Sequence, residues 1–533
     1  MTSGKLFLRQ DVQAEPLVGR WFAWANLISP GTAAFTVVER QLRAMESFVK
    51  SPDLHAASLR NPLLRSGPFI DLSADLVPEV ATLVTQTRER CAAQVAFTQA
   101  VRDLGALLRE KGKGGSLEAL YREVPEILRG RVELYYDRHH RPDFRFFEAL
   151  LYSSPLYDVG QQMLSLKIAR QAEKRPFVFS TPRLPDARAL DIPISFASPA
   201  LDTLFSARTK ATSLECLCDA FGGVFDERQV GQLTSLLTEQ PPPPRPSYQG
   251  NRPRIRYFGH ACLLIETGGI SILVDPLVSY GGEEGPARFS FQDLPERIDY
   301  VLITHAHHDH VVLETLLQLR HCIGRVIVPR NTGGSLQDPS LALMLAALGF
   351  KDVLSLSELE SVRLAPDGEL TALPFIGEHH DLLVQSKTTY HLRLGAATML
   401  IAADSCNLSP DLYRNIRAIT GPVDALFLGM ECEGAPLSWV YGALFDHRTT
   451  RENDQARRGR GSNAAEGLDM VSCFDPSHVY VYAMGAEPWV GHILDLEYQD
   501  GDLAMVESDR FVTACIAQGR EAERLYLQRE ICL

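Results

Sequence analysis

The stretch that decides the fold is Tyr300-Val301-Leu302-Ile303-Thr304-His305-Ala306-His307-His308-Asp309-His310. An apolar run, typical of a buried strand, is followed at once by a turn with four potential metal ligands, His305, His307, Asp309 and His310. Imidazole and carboxylate groups hold divalent transition metals. An amphipathic pattern over 311–319 predicts a helix after the turn. Because chance histidines rarely lie between a buried strand and a helix start, the pattern favours a metal site over a solvated turn.

Two upstream segments support this interpretation. The letters GHACLLIE (259–266) and ILVDP (272–276) read as strands separated by glycine turns, and DYVLITHAHHDH (299–310) follows them. In this order the segments resemble the opening strands of the metallo-β-lactamase fold superfamily. The resemblance implies an α/β catalytic domain with αββα layers. Asp275 ends a strand near the His-rich turn, where it either fixes histidine tautomers or serves only the turn with Pro276.

Length and composition limit the classes of protein. The chain has 533 residues, 45% of them hydrophobic, and a net charge of −13, which argues against nucleic acid as a partner. The longest apolar run, 341–350, is far shorter than the roughly 20 residues that span a bilayer, so no membrane association is expected. The ten cysteines are scattered and are expected to be reduced. We expect a cytoplasmic protein.

A proline run, Pro241 to Pro246, predicts a domain boundary because it favours a semi-rigid extended spacer. We expect a mixed, mostly helical α+β domain at 1–240, a linker at 241–250 and the catalytic domain at 251–533. Apolar periodicity predicts helices over 78–110 and 117–128. His139 and His140 lie in a charged stretch with no third ligand following, which indicates a solvated loop.

Further ligands are expected after later strands. Glu378 precedes His379 and His380, and Asp404 follows the apolar run 400–403, where it serves either as a bridging ligand or as the cap of the next turn. Glu431 follows the predicted strand 425–430. The last predicted strand, 479–484, is not followed directly by a histidine, so His492 is only a fallback ligand.

These departures from an all-histidine pattern point away from zinc hydrolysis. A glutamate in place of a neutral imidazole adds negative charge and oxygen donors, which suits iron and its higher oxidation states. The missing late histidine leaves a coordination position open, as oxygen activation requires. Glu431 could then move on and off a metal.

The motifs THAHHDH, PFIGEHHD, IAADSCN, LGMECEG and YAMGAEPW, together with the long N-terminal region, resemble the CmlA-like diiron β-hydroxylases of nonribosomal peptide biosynthesis. The resemblance covers nearly the whole chain. It implies two iron ions, with Asp404 bridging them and Glu431 as a labile carboxylate. The implied ligands of one iron are His305, His307 and Glu378, and those of the other are Asp309 and His310.

The same resemblance implies the reaction. Such enzymes are O2-dependent monooxygenases that hydroxylate the β-carbon of an aromatic aminoacyl group, such as p-aminophenylalanine, in antibiotic biosynthesis, chloramphenicol being the reference case. The aminoacyl group is a thioester on a peptidyl carrier protein of a nonribosomal peptide synthetase. Because the chain has no flavin or NAD motif, an external electron donor, a separate reductase, is expected. The resemblance also suggests a homodimer formed through the N-terminal domain, which would also dock the carrier.

A carrier protein is commonly acidic, so an acidic enzyme needs a local basic face. The segments 447–451 and 457–461 contain His447, Arg448, Arg451, Arg457, Arg458 and Arg460. They lie in a predicted mobile loop. The pattern is equally consistent with a solvated charge run.

Two other functions remain open at this point. A binuclear zinc hydrolase acting on a lactone, phosphodiester or thioester predicts His379 or His380 at the metal and His492 at the second site. A noncatalytic scaffold that binds carrier modules is disfavoured because the His-rich turn is intact.

Overall fold

The computed structural model describes residues 5–64, 66–169, 174–281 and 285–533. Its N-terminal region contains a four-stranded antiparallel sheet of order β3-β2-β6-β7, with helices around it. The strands are β1 (Phe7–Leu8), β2 (Val12–Val18), β3 (Trp21–Phe22), β4 (Val132–Tyr136), β5 (Pro142–Phe146), β6 (Gln162–Ile168), β7 (Leu190–Pro193) and β8 (Leu237–Thr238). The helices are α1 (Ala25–Ile28), α2 (Pro30–Phe35), α3 (Leu42–Lys50), α4 (Pro52–Leu59), α5 (Val77–Arg90), α6 (Ala92–Lys111), α7 (Glu148–Tyr152), α8 (Pro199–Ser206), α9 (Leu214–Ala220) and α10 (Glu227–Ser235).

The helical prediction for 78–110 is confirmed by α5 and α6, which bury one apolar face each. The prediction for 117–128 is wrong. That stretch forms only two short 3-10 turns, Glu118–Arg122 and Glu126–Leu128. Pro125 lies between them, and a proline removes a backbone donor and disfavours helical backbone in the residue before it. His139 and His140 are exposed in the turn between β4 and β5, as predicted.

The predicted linker, 241–250, contains no helix or strand. It does not run free of the protein, because the Arg245 guanidinium donates a hydrogen bond to the carbonyl oxygen of Pro295 at 2.8 Å. The extended segment therefore lies against the surface of the C-terminal region.

The C-terminal region contains two seven-stranded sheets, of order β14-β13-β12-β11-β10-β9-β22 and β15-β16-β17-β18-β19-β20-β21. The strands are β9 (Arg254–Tyr257), β10 (Leu263–Thr267), β11 (Ile270–Val274), β12 (Ile298–Leu302), β13 (Ile323–Pro329), β14 (Val353–Leu356), β15 (Ser361–Ala365), β16 (Gly368–Leu373), β17 (Thr389–Leu394), β18 (Ala397–Ile401), β19 (Ala425–Gly429), β20 (His478–Tyr482), β21 (Glu521–Arg524) and β22 (Arg529–Cys532). The helices are α11 (Leu313–Leu319), α12 (Leu341–Ala347), α13 (Pro410–Thr420), α14 (Leu437–Val440), α15 (Arg451–Ala456), α16 (Ala464–Phe474), α17 (Gly491–Leu494) and α18 (Leu503–Ala517).

The core confirms the αββα architecture. One apolar cluster draws on both sheets, for example Ile272 and Leu302 from the first and Tyr390 and Phe427 from the second. Further clusters lie on the outer face of each sheet, under helices. Each sheet is therefore buried on both faces, which explains the continuous apolar runs in its strands.

Helix α11 corrects one detail of the prediction. The sequence pattern over 311–319 predicts an amphipathic helix, but all seven residues of α11 are buried. Its outer side is covered by β2 and α8 of the N-terminal region. The two regions thus share one continuous core, and none of the helices in the described ranges is long and apolar enough to cross a membrane.

The strand ends determine where the site lies. β11 and β12 are parallel neighbours, as are β18, β19 and β20, so their carboxyl ends meet at one edge of the sandwich. The turn between β9 and β10 reaches the same edge, because Leu263 at the start of β10 pairs with Val274 at the end of β11. Loops from both sheets therefore converge there.

Candidate metal centre

The His-rich turn is held from behind by Asp275. The Asp275 Oδ1 atom accepts a hydrogen bond from the backbone of Thr304 at 2.8 Å, and Oδ2 accepts one from the Thr304 hydroxyl at 2.6 Å. Oδ2 also lies 2.8 Å from Nδ1 of His310. This carboxylate therefore fixes the His310 tautomer and leaves Nε2 free to face the site. Of the two roles open for Asp275, the contacts favour the one that steadies the loop.

Asp404 lies between two of the predicted histidine ligands. Its Oδ2 atom is 2.9 Å from Nε2 of His310 and 3.7 Å from Nε2 of His305. The two imidazole rings have centroids 3.9 Å apart, and potential ligand atoms of all three residues lie within 4.8 Å of one another. Asp404 therefore contacts one histidine from each of the two predicted ligand sets.

A second group of potential ligands contains a residue that the sequence analysis missed. Nε2 of His260 lies 3.0 Å from Oδ2 of Asp309, and His310 completes a set of three buried residues. His260 belongs to the turn between β9 and β10 and has a positive φ of 50°. Its only sequence signal is its place in the GHACLLIE segment, where a histidine follows a glycine at a strand end.

Glu378 enters the site from the second sheet. Its Oε1 atom lies 3.2 Å from Nδ1 of His307, and its backbone N–H donates to the carbonyl of Arg460 at 3.1 Å. Burial and the Asp404 and Asp309 carboxylates raise the pKa of Glu378 well above its ordinary value. Burial, followed by Glu378 and Asp404, has the same effect on the pKa of Glu431. Glu431, which like Glu378 is half-buried, therefore lies near the same group of carboxylates.

The histidines and Asp309 respond to the same surroundings. Burial lowers the pKa of His305 well below its ordinary value, and the neighbouring His310 adds to that effect. Burial opposes ionisation of Asp309, but the charge of His310 and the hydrogen bond from His260 hold its pKa well below its ordinary value. Nitrogen bases without protons and ionised carboxylates are the forms that bind metal. His305 and Asp309 are shifted toward these forms, whereas Asp404, Asp309 and Asp275 raise the pKa of His310 well above its ordinary value despite its burial.

The donor set fits a carboxylate-rich pair of metal ions. Nε2 of His305 and Oδ1 of Asp404 are buried and have no hydrogen-bond partner among the described residues. Buried polar atoms are normally satisfied, because desolvation without a partner costs free energy. Coordination would satisfy both atoms and would balance the charge of the clustered carboxylates. Imidazole nitrogen and carboxylate oxygen together suit iron.

Of the other histidines considered as ligands, His492 and His380 have partners outside these clusters, whereas His379 lies beside His305 and His307. His492 is not in the clusters: its Nε2 is 3.9 Å from Oε2 of Glu314, and its ring packs on Phe22, so the fallback assignment is wrong. His380 contacts the carbonyl of Ala435 through Nε2 at 2.9 Å. His379 stacks on the His307 ring at 4.4 Å, and its ring nitrogens have no partner among the described residues.

The basic loop is packed more closely than predicted. The Arg457 guanidinium donates to the His380 carbonyl at 2.9 and 2.6 Å, and Arg460 pairs with Glu466. Arg458 contacts Gln455 and Glu433. The side chains of these three arginines therefore have partners within the chain, and docking of a carrier protein on this loop stays a prediction. The exposed cations of the loop include Arg448 and Arg451.

Comparison with known proteins identifies both halves of the chain. The family described as "Diiron non-heme beta-hydroxylase N-terminal domain" matches residues 7–241, and the "Beta-lactamase superfamily domain" matches residues 254–392. A UPF0173 protein of Pyrococcus abyssi is 30% identical over 126 residues, which cover 24% of this chain and 49% of that protein.

Two findings cover the whole chain. The 4-amino-L-phenylalanyl-[CmlP-peptidyl-carrier-protein] 3-hydroxylase of Streptomyces venezuelae is 39% identical over 535 residues, which are 99% of each chain. The crystal structure of CmlA, a diiron beta-hydroxylase from Streptomyces venezuelae, superposes with a TM-score of 0.93 at 38% identity and covers 100% of both chains. These findings do not favour the zinc hydrolase alternative. The chain is an oxidoreductase and belongs to the CmlA-like family of diiron non-heme β-hydroxylases.

Proposed function

We propose that this enzyme hydroxylates the β-carbon of an aromatic aminoacyl group that a peptidyl carrier protein of a nonribosomal peptide synthetase holds as a thioester, in antibiotic biosynthesis. The observation that carries the proposal is the 39% identity over 99% of both chains to a hydroxylase of 4-amino-L-phenylalanyl carrier protein. O2 is the co-substrate, and a separate reductase supplies two electrons. One oxygen atom enters the C–H bond and the other leaves as water, with two protons taken up.

The proposed ligands follow from the contacts of the site. His305, His307 and Glu378 would hold one iron, and Asp309 and His310 would hold the other. The place of Asp404, with Oδ2 at 2.9 Å from His310 and 3.7 Å from His305, supports a bridging role. When bound, the pair of irons supplies the redox chemistry that activates O2. Glu431 is the carboxylate proposed to change its contacts during turnover.

The protein's own contribution is to orient these groups and to exclude water. Asp275 and Thr304 hold His310 in one tautomer, and His305 and His310 are fully buried. His260 holds the Asp309 carboxylate in place, because its Nε2 atom lies 3.0 Å from Oδ2 of Asp309. Groups held in this way need no rearrangement when the substrate arrives.

A cavity of about 1600 Å³ is large enough for a long carrier-bound substrate, which supports the proposal. Its walls come from the N-terminal region, from the proline segment at 241–243 and from the C-terminal region, including Trp489 and Tyr498. Small-molecule sites usually have about 300–1,000 Å³. Burial and the charge of Glu431 raise the pKa of Tyr498 well above its ordinary value, which indicates that one wall adjoins the carboxylate cluster. A phosphopantetheine arm with its aminoacyl group would fit this space.

The remaining parts of the proposal concern organisation. Residues 1–240 would serve in carrier docking and in formation of a homodimer, 241–250 would link the two domains, and 251–533 would carry the chemistry. The deep packing of β2 and α8 on α11 supports a role of the N-terminal region close to the site.

Incubation of iron-loaded enzyme with a reductant, isotopically labelled O2 and carrier protein charged with 4-aminophenylalanine tests the proposal. We expect a mass increase of one labelled oxygen on the acyl group, located at the β-carbon by fragmentation. Free amino acid should give no product. Release of the acyl group by hydrolysis, without oxygen incorporation, would refute the proposed reaction.

A further inference from the structure

Glu487 is a buried carboxylate for which the metal centre gives no explanation. It follows β20, and its side chain is 3% exposed. The Tyr257 hydroxyl donates a hydrogen bond to its Oε1 atom, whereas Oε2 has no partner among the described residues. Glu487 begins the 3-10 turn Pro488–Val490, yet its side chain does not cap that turn.

Within the described ranges Glu487 forms no ion pair, and the hydrogen-bond partner of its carboxylate is the neutral Tyr257 hydroxyl. The Arg288 guanidinium lies over the adjoining Trp489 ring, 6.0 Å from its centroid. An ionised carboxylate buried without a cation is costly, because desolvation is not repaid by a charge of opposite sign. Such a group persists where function requires it, and a cationic ligand would supply the missing partner.

The position of Glu487 relates it to the substrate. The residue lines the 1600 Å³ cavity together with Trp489 and Tyr498. It also adjoins the metal-site turn, since a Cβ added to Gly259 would lie 3.2 Å from the Glu487 Cγ atom and 2.6 Å from the Trp489 ring. His260, the next residue, contacts Asp309, and its carbonyl accepts from the backbone of Ala483 at 2.8 Å.

Trp489 provides an independent observation at the same place. Its indole Nε1 is buried and has no hydrogen-bond partner among the described residues, although the residue lines the cavity. An indole N–H can donate to a carbonyl oxygen. The ring face already has a cation beside it, because the Arg288 guanidinium lies 6.0 Å from the ring centroid. Glu487 Oε2, an acceptor, and Trp489 Nε1, a donor, therefore belong to neighbouring residues of the cavity wall, and neither atom has a partner among the described residues.

We propose that Glu487 and Trp489 form the subsite for the α-ammonium group and thioester carbonyl of the carrier-bound aminoacyl substrate. This inference rests on the proposed function. Glu487 binds the ammonium cation, Tyr257 holds the carboxylate in place, and the Trp489 N–H is available to the carbonyl. The α-carbon is bonded to the β-carbon that reacts, so this subsite must lie close to the metal-site loops. The ring amine of the 4-aminophenylalanyl group is uncharged at neutral pH, so it would balance the charge of the buried carboxylate less well than the α-ammonium group would.

Three acyl carriers test the assignment: one with 4-aminophenylalanyl, one with the desamino analogue that lacks the α-amino group, and one with phenylalanyl, which lacks the ring amine. For wild-type enzyme we expect kcat/KM to fall about 10- to 100-fold when the α-amino group is removed, as for loss of a hydrogen bond to a charged group. For Glu487→Gln we expect a similar loss on the two aminoacyl carriers. On the desamino carrier, kcat/KM of Glu487→Gln and of the wild-type enzyme should agree within about twofold.

The matched control is Glu369→Gln, a carboxylate on β16 that is 47% exposed, pairs with Arg393 at 3.1 Å and does not line the cavity. It should leave kcat/KM unchanged on all three carriers. Iron content and the iron spectrum are recorded for each variant. If Glu487→Gln lost its iron, the wild-type enzyme alone would decide. Equal kcat/KM on the aminoacyl and desamino carriers would overturn the inference. A lower kcat/KM on the desamino carrier alone would support it.

The outcomes separate the two hypotheses. Wild-type enzyme that hydroxylates the aminoacyl and desamino carriers equally well retains the proposed function but overturns the role of Glu487. A Glu487→Gln defect that disappears with phenylalanyl carrier assigns the carboxylate to the ring amine and also overturns it. Absence of hydroxylation on all three carriers refutes the proposed function and this inference with it.

Discussion

The Oδ2 atom of Asp275 lies 2.8 Å from Nδ1 of His310, and it receives the Thr304 hydroxyl from the other side. Asp275 is fully buried, so this pair has no competing water. The contact joins the end of β11 to the His-rich turn after β12 and directs the other nitrogen of His310 toward Asp404.

Asp275→Asn should therefore weaken metal binding without removing a ligand. An amide can donate where His310 requires an acceptor, and loss of such supporting contacts lowers metal affinity about 10- to 100-fold. Iron content after dialysis against a weak chelator measures the effect. Asp424→Asn is a control, since Asp424 accepts from Thr398 away from the site and should retain wild-type iron. Unchanged iron in Asp275→Asn would show that the carboxylate serves only the turn.

The identity of the metal gives a second prediction. Because the site combines imidazole with several carboxylates, protein expressed with iron supplied should contain about two irons per chain. Elemental analysis and the absorption of a bridged ferric pair measure this. Two tightly held zinc ions, with no iron-dependent activity, would contradict the assignment.

Glu378 and His379 allow a direct comparison of neighbouring residues. If Glu378 is a ligand, as its 3.2 Å contact with His307 suggests, Glu378→Ala should lose or weaken one iron and abolish turnover. His379→Ala should retain its metal content, although it removes a ring that stacks on His307. Metal analysis and product formation are measured on both variants. The opposite pattern would transfer the ligand role to His379.

The basic loop gives a prediction that differs from a simple docking role. Arg460→Glu should disturb the iron spectrum. The substitution replaces the ion pair with Glu466 by a repulsion between two carboxylates. The backbone carbonyl of residue 460 accepts the hydrogen bond from the Glu378 N–H, so a shift of this residue should move Glu378. Arg448→Glu makes the same charge change at an exposed position of the loop and should leave the spectrum intact. If Arg448→Glu also weakens binding of an acidic carrier, more strongly at low salt, the exposed cations serve docking. Identical spectra in both variants would show that the Arg460 pair does not support the site.

The contact between the two regions gives a prediction of stability. Arg175 pairs with Glu15 at 2.5 Å and with Glu314 at 2.6 Å, and all three side chains are largely buried. Arg175→Met would leave two buried carboxylates without this cation, which typically costs about 3–5 kcal/mol. Urea unfolding followed by tryptophan fluorescence measures the change. Lys174→Met, at a side chain that is 93% exposed, should change stability by less than about 1 kcal/mol. Equal effects in the two variants would contradict the role of the buried pair.

Local patterns determined much of this protein. An apolar strand followed by THAHHDH, and later strands ending in Glu378, Asp404 and Glu431, predict both the fold and the residues that meet at the site. The fold prediction is confirmed, and the roles of these residues stay predictions. His305, His310 and Asp404 lie close together because parallel strands bring their carboxyl ends to one edge, so a polar residue at a strand end is informative without knowledge of the strand order.

Tertiary structure alone decided the rest. His260 joins Asp309 because the register of β10 on β11 carries its turn to that edge, and pairing register cannot be read from a single strand. Helix α11 is buried because β2 and α8, distant in sequence, cover its polar side. Glu487 is buried because Tyr257 and the turn at Gly259 pack beside it. The physical reason is that side-chain periodicity reports which face of an element is apolar, whereas burial of its polar groups depends on which distant segments pack against them.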